Sequence, residues 1–241
     1  VDTLYTLDAL SVEDMMAWLQ QEDIVYSKQE AERLYAYTNG NARLIELSIA
    51  LHLSSTGDGS LGETIVQLPQ SPSLAPLWHR IQRRLTSRER TLLWALSVFR
   101  SEAPEDAWRE LSDGDDEPQG NAEEDEATDE LIQSLLRRRL IRREAQGGIS
   151  LLSALRHIIY ESLSIENREI LHGRAASIRF ERGEYTAASY HLIRSGQPNK
   201  AVELWYPHRE AEMARGYSAT ALSLFETISQ NGLAPLSLIH I

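Results

Sequence analysis

Leu140-Ile141-Arg142-Arg143-Glu144-Ala145-Gln146-Gly147-Gly148-Ile149-Ser150-Leu151-Leu152 is the stretch on which the fold turns. Two short runs, residues 140–144 and 149–152, flank Gln146-Gly147-Gly148, and paired glycines at a tight turn mark a β-hairpin. Working outward, Leu131, Leu135, Leu136 and Leu140 hold helical spacing just before it. Further upstream, Thr86-Ser87-Arg88-Glu89 has the form of a capping box, and Leu92, Leu93, Leu96 and Phe99 continue an apolar face. Leu74, Leu77, Ile81 and Leu85 form a helix before that, and Pro104 suits the first position of a short helix ending at Leu111. A further helix over residues 154–163 closes the set. Three helices, a hairpin and a closing helix in that order make a winged helix over residues 68–153, the preferred reading. A helical bundle with a loop in place of the wing stays open beside it.

This unit is interrupted by residues 112–130, which hold ten acids and no base. So few of them can bury anything that a disordered acidic insertion is expected. The chain of 241 residues has a net charge of −12, but the remainder without this segment carries only −2. The overall balance therefore gives no drive toward nucleic acid or an anionic membrane. There is no cysteine, which excludes disulfides, thiolate catalysis and zinc–cysteine sites. No apolar run reaches spanning length and no secretory signal opens the chain, so a cytoplasmic protein with no membrane partner is expected.

On the amino-terminal side, residues 3–10 suggest a short extended segment. Ser11 with Asp14 opens a helix to about Gln21, and Ser27-Lys28-Gln29-Glu30 is a capping box for a second helix running to Thr38. Asn39-Gly40 stops that helix, and Asn41 caps a third, whose Leu44, Leu47, Ile49, Leu51 and Leu53 crowd one side. Residues 54–62 form a Ser/Gly linker. On the carboxy-terminal side all is helix. Ser164 caps one helix to about Arg182, and residues 184–195 pair with a helix from Pro198 around Ser195-Gly196-Gln197. Ala187, Ala188, Ala201, Ala211, Ala214, Ala219 and Ala221 suit close helix approach, and a tetratricopeptide-like period near 34 residues is expected over residues 154–230. The fold class is thus mainly α, with one small hairpin. A start at Val1 and the tail at residues 236–241 suggest a fragment. The tail Leu-Ser-Leu-Ile-His-Ile is expected to be the translation of a sequencing-library adaptor, the plain alternative being an apolar end.

Three stretches carry a family resemblance. They are Leu7-Asp8-Ala9-Leu10-Ser11-Val12-Glu13-Asp14 with Tyr37-Thr38-Asn39-Gly40-Asn41-Ala42-Arg43-Leu44-Ile45-Glu46-Leu47; Ile159-Tyr160-Glu161-Ser162-Leu163-Ser164 with Arg168, Leu171-His172 and Ala175-Ala176; and Ala188-Ser189-Tyr190-His191-Leu192 with Ser195-Gly196, Lys200-Ala201 and Ala211-Glu212-Met213-Ala214. In this order the chain resembles signal-transduction ATPases with numerous domains, of the large ATP-binding bacterial regulator type. The resemblance implies that residues 1–55 are the end of an AAA-like ATPase domain and its helical lid, followed by the winged helix and the first repeat helices. It also implies ATP or ADP with magnesium in a longer parent protein, with Gly40, Asn41, Ala42 and Arg43 as the nucleotide-facing turn. The family usually has Gly-Asn-Pro there; Ala42 replaces that proline, and Arg43 is placed like the sensor arginine of related ATPases. Many members carry a histidine after the second wing strand, where this chain has Leu152.

The residues themselves set limits. No Gly-Lys-Ser or Gly-Lys-Thr occurs, so this chain alone cannot hydrolyse ATP by phosphate-loop chemistry, and no tight nucleotide binding to it is expected. No catalytic or metal-ligating constellation stands out. His157, His172 and His191 share no metal spacing and are read as ordinary helix residues, His191 as packing between repeat helices. Arg43 can hold a phosphate oxygen or simply pair with Glu46. Arg137, Arg138, Arg139, Arg142 and Arg143 sit where a DNA-binding winged helix meets phosphates, but they can equally dock the acidic segment or an ATPase domain, and DNA is the weaker reading.

Together these readings favour a fragment of a nucleotide-controlled regulatory switch. Its partners would be an upstream nucleotide-binding domain and a protein or small-molecule effector at the repeats. Two rivals remain: a winged-helix DNA-binding regulator with a helical-repeat ligand-binding domain, and a helical-repeat interaction scaffold.

Overall fold

Local capping chemistry sets the first three helices. In the computed structural model, Ser11 accepts the Asp14 backbone N–H at 3.1 Å while Asp14 accepts the Ser11 N–H at 3.0 Å, opening α1 (Val12–Gln21). The same reciprocal pair between Ser27 and Glu30 opens α2 (Lys28–Thr38). Asn39 ends α2 in the left-handed region (φ 48°), and Asn41 then caps α3 (Ala42–Leu53), its side-chain oxygen accepting the N–H groups of Arg43 and Leu44 at 3.0 and 3.3 Å. The structure describes residues 9–55, 59–104, 107, 111, 122–145 and 147–228, with the side chains of 122–128 set aside. Of the expected segment at residues 3–10 only 9 and 10 are described, and neither is in a strand; the tail at 236–241 lies outside the described residues.

The remaining elements are α4 (Leu61–Val66), α5 (Leu74–Gln82), α6 (Ser87–Ser97), β1 (Ala103–Pro104), α7 (Ala122–Arg137), β2 (Ile141–Arg143), β3 (Gly148–Leu151), α8 (Ser153–Ser162), α9 (Ile165–Glu181), α10 (Tyr185–Arg194), α11 (Pro198–Trp205), a 3-10 turn (Tyr206–His208), α12 (Arg209–Ala214) and α13 (Ser218–Glu226). The chain is mainly helical, as its periodicity indicates. The described residues of Val1–Leu93 and Gln119–Ile159 make one compact unit, and those of Trp94–Pro118 and Tyr160–Ile241 make a second.

In the first unit α3 is the centre. Leu44 to Leu51 are all buried, including Glu46 and Ser48, because α2, α4 and α5 pack around it. The expected one-sided stripe is therefore corrected: a helix covered from several directions needs apolar residues all round. Met15, Leu19, Leu34, Ile45, Ile49 and Leu61 form its apolar core with α1, α2 and α4. Arg84 finishes α3, donating to Leu51 O at 3.0 Å and to Ser55 Oγ at 2.6 Å where helix carbonyls run out of partners. The expected linker at 54–62 is shorter than read, since Leu61 and Gly62 already belong to α4; Leu61 is fully buried, and that burial repays ordering the turn.

Downstream, Thr86 and Glu89 form the expected capping box of α6. The hairpin is present: β2 and β3 run antiparallel with Ile141 opposite Leu151, Arg142 opposite Ser150 and Arg143 opposite Ile149. Its turn closes through Glu144 N–H to Gly148 O at 2.8 Å, with Gly147 at φ 87°. Two expectations change. Pro104 ends strand β1 instead of opening a helix, a place that tolerates a residue without an N–H. Residues 122–130, expected to be disordered with 112–121, are the first half of α7, while 112–121 lie outside the described residues. Extending a helix costs less than starting one, and acids at an amino end suit the helix dipole.

In the second unit α9 packs on α10 and α10 on α11. Ser164 caps α9 as expected. Gly183 (φ 69°) precedes α10, and 33 positions later Gly216 (φ 91°) precedes α13. Each is followed five residues on by a buried alanine, Ala188 or Ala221, so one helical-repeat period is visible near the expected length. Ala201 is buried too, whereas Ala211, Ala214 and Ala219 are exposed and mark no close approach among the described residues.

Gly40 is the tightest point of the first unit. Its φ is +70°, its carbonyl accepts the Leu10 N–H at 2.9 Å, and a Cβ there would collide with the Leu10 backbone carbonyl. Tyr35 Oη holds that same Leu10 carbonyl at 3.1 Å. Gly40→Ala is expected to cost about 1–3 kcal/mol, read as a lowered urea midpoint; an unchanged midpoint would show that the turn relaxes freely.

Candidate functional site

The predicted turn lies between α2 and α3. Gly40 is buried; Asn41, Ala42 and Arg43 are exposed. Because Asn41 already takes the first free N–H groups of α3, a phosphate placed there would meet the Arg43 guanidinium rather than an open nest of amides. The turn therefore presents one exposed cation, Arg43, beside a capped helix start. Ala42 offers only a methyl group where the resemblance has proline.

One helical turn along, Glu46 is buried and ion-paired with Arg142 of β2. Burial pushes the Glu46 carboxyl up, while Arg142, and after it Arg43, pull it down. Both alternatives for Arg43 thus meet in one place: its head is exposed, and it shares the field of Glu46. The hairpin arginine nevertheless makes the direct contact.

Two further arginines expected on a DNA face are tied to the same unit. Arg139 holds Glu22 at 2.6 Å. It does so from the left-handed region (φ 55°), where a non-glycine residue gives up about 1–2 kcal/mol. Arg138 lies 3.4 Å from Glu89, which is buried and also accepts Ser134 Oγ at 2.8 Å. Arg137 turns back on its own helix to Gln133 O. Arg138, Arg139 and Arg142 therefore bind the amino-terminal helices and α6 of their own unit. Leu152 is buried, and its N–H donates to Leu140 O at 3.0 Å at the base of the hairpin.

In the second unit the structure joins two residues that sequence spacing left separate. His172 on α9 and His191 on α10 place their Nδ1 atoms 2.9 Å apart, and Tyr160 Oη lies 3.2 Å from His172 Nε2. Both rings are buried, His191 edge-on to Phe99 and His172 edge-on to Tyr160 and Tyr190. An Nδ1–Nδ1 bond needs one donor and one acceptor, so two neutral rings would take opposite tautomers. Burial, then Arg194 and Arg168, push His172 down to about 4; burial, then His172 and Arg179, push His191 down to about 2. The expected packing role of His191 holds, with His172 as its partner. Among the described residues no group of three or more metal-ligating side chains comes together, and no helix is long and apolar enough to cross a membrane.

No protein-family model matches the chain, and no curated protein matches it. A similar solved structure is the crystal structure of a signal transduction ATPase with numerous domains, a protein with a tetratricopeptide repeat sensor, from Pyrococcus horikoshii. The two superpose with a TM-score of 0.58 at 18% sequence identity, over 90% of this chain and 30% of that one. The likeness is one of fold: a mainly helical chain with a small sheet, laid out like a portion of that longer protein. This chain spans under a third of its length.

Because both folded histidines titrate below their ordinary value of 6.5, the unfolded chain binds more protons in acid. The stability they confer is complete above about pH 6.5 and is lost as pH falls toward 4 and then 2. Two such groups give a slope of up to about 2.7 kcal/mol per pH unit across that window. Urea unfolding followed in α9–α10 at pH 7 and pH 5 should show this loss, and His172→Gln with His191→Gln should flatten it; an equal slope in the double variant would assign it elsewhere.

Proposed function

We propose that the chain is part of a nucleotide-controlled regulatory switch. In this reading α1 to α3 are lid helices at the end of an ATPase domain, and α5 to β3 are a winged helix acting as a latch. The helices from α8 onward are the start of a tetratricopeptide-like region that takes a protein or small-molecule effector. An upstream nucleotide-binding domain would hold ATP or ADP with magnesium, and the chemistry of hydrolysis would belong to that domain. Gly40, Asn41, Ala42 and Arg43 would face the nucleotide, with Arg43 reporting its phosphate.

One observation carries the reading. An exposed arginine stands at the first turn of the most buried helix of its unit, and the next residue on that face, Glu46, is ion-paired to the hairpin. A contact made at Arg43 is thus one helical turn from the contact that holds the latch. The fold shared with the archaeal signal transduction ATPase supports the order of parts, and that protein's repeat sensor supports an effector role for the helices from α8 onward. Pairing of Arg138, Arg139 and Arg142 within their own unit supports a latch over a DNA-reading surface.

The test is Arg43→Ala in the longer parent protein. A charge-assisted bond to a phosphate is worth about 1.5–3 kcal/mol, so affinity for a non-hydrolysable ATP analogue is expected to fall about ten- to hundredfold, with a smaller change for ADP. Unchanged affinity and unchanged hydrolysis would remove Arg43 from the site.

A further inference from the structure

We infer that the second unit carries a docking surface for an acidic peptide, built from Arg100, Arg168 and Arg194 on the rings of Tyr160 and Tyr190. This names a partner class for the effector at the repeats and rests on that reading for its regulatory role. The binding itself lies within this chain.

Separate pieces of the second unit bring the surface together. Arg100 follows α6, Tyr160 lies near the end of α8, Arg168 is on α9, and Tyr190 and Arg194 are on α10. The Arg100 guanidinium lies over the Tyr190 ring, 5.1 Å from its centroid. Arg194, one helical turn on from Tyr190, approaches the same ring at 6.0 Å. Arg168 lies over Tyr160 at 4.6 Å. Both rings stand edge-on to the buried His172, so one side chain helps to set the position of both. Three cations are thus gathered on two aromatic supports, in a chain whose net charge is −12.

Their other contacts decide what is open to a ligand. Arg168 donates to the Glu161 carbonyl at 3.0 Å and pairs with the Glu161 carboxylate at 3.2 Å, so much of its bonding is already used. Arg194 donates to the Tyr190 hydroxyl and lies in the field of Glu161, but it is exposed and makes no ion pair among the described residues. Arg100 is also exposed and adds its charge at the same ring. A guanidinium laid on a ring keeps an N–H edge outward, and that edge matches a carboxylate. The cations sit on two rings rather than around one point. A single small ion therefore meets only some of them, whereas carboxylates spaced along a peptide meet them in turn. Tyr160 and Tyr190 are half-buried and offer apolar ring surface to the chain between those carboxylates. The overall negative charge repels polyanions at a distance, so affinity has to come from close contact at this patch.

Fluorescence anisotropy of a labelled hexaglutamate peptide with the whole chain tests this, with hexaglutamine as the neutral control. Hexaglutamate should bind at low ionic strength and bind more weakly as salt is added. Arg194→Gln should weaken binding about two- to fivefold, and Arg100→Gln with Arg194→Gln should weaken it further. Arg194→Lys should retain more affinity than Arg194→Gln, and Arg143→Gln, in the first unit, should leave it unchanged; thermal unfolding checks that each variant folds. The inference is overturned if hexaglutamate does not bind at low salt, if Arg143→Gln weakens it as much as Arg194→Gln, or if pyrophosphate displaces it at equal concentration. Binding that appears only after residues 112–121 are replaced by a neutral linker would make the chain's own acids the occupant and overturn a separate partner. Arginine-dependent binding here, with no effect of the peptide on nucleotide hydrolysis by the parent protein, would confirm the surface and overturn the effector reading alone.

Discussion

A buried carboxylate must be neutralised, and the first unit is arranged around that requirement at Glu46. The side chain lies on a helix otherwise surrounded by apolar residues. Without a cation its charge would be costly to keep there, and Arg142 supplies one from the hairpin. The pair therefore fixes where β2 lies against α3. Arg139 with Glu22 and Arg138 with Glu89 add two more ties of the same polarity, basic from α7 and the hairpin region to acidic on the earlier helices. Three of the five arginines in the basic run, Arg138, Arg139 and Arg142, are thus paired within their own unit.

The two units differ in how they hold together. The first uses charge pairs across elements distant in sequence, which salt and competing ions can loosen. The second adds to its own ion pairs, such as Arg179 with Glu184, a pair of buried histidines that share a hydrogen bond among Phe99, Tyr160 and Tyr190. Protons are a natural perturbant of that histidine pair.

Much of this was legible from short-range signals. The caps at Ser11, Ser27, Asn41, Thr86 and Ser164, the stop at Asn39-Gly40 and the glycine turn of the hairpin each depend on atoms a few residues apart, and each stands where its residues indicate. What sequence could not show was long-range. Nothing local distinguishes Glu46 from a solvated glutamate, because its partner is 96 positions away. The all-round burial of α3 depends on how many helices cover it, which an apolar count of its own residues does not reveal. His172 and His191 carry no motif because their contact is made by two helices packing, not by spacing along one. Pro104 and the acids of 122–130 misled for a related reason: residue type sets local preference, and the neighbouring strand or helix overrides it. Of the candidate site, the turn was legible and its link to the hairpin was not.

The most direct measurement is the unfolding free energy of four proteins: wild type, Glu46→Met, Arg142→Met and the double variant. If Glu46 and Arg142 form the tie on which the unit depends, Arg142→Met alone strands a buried charge and loses about 1–3 kcal/mol. The double variant, with apolar groups of similar volume, should regain most of that loss. Losses that simply add, with the double variant as unstable as the sum of the two single changes, would contradict the account.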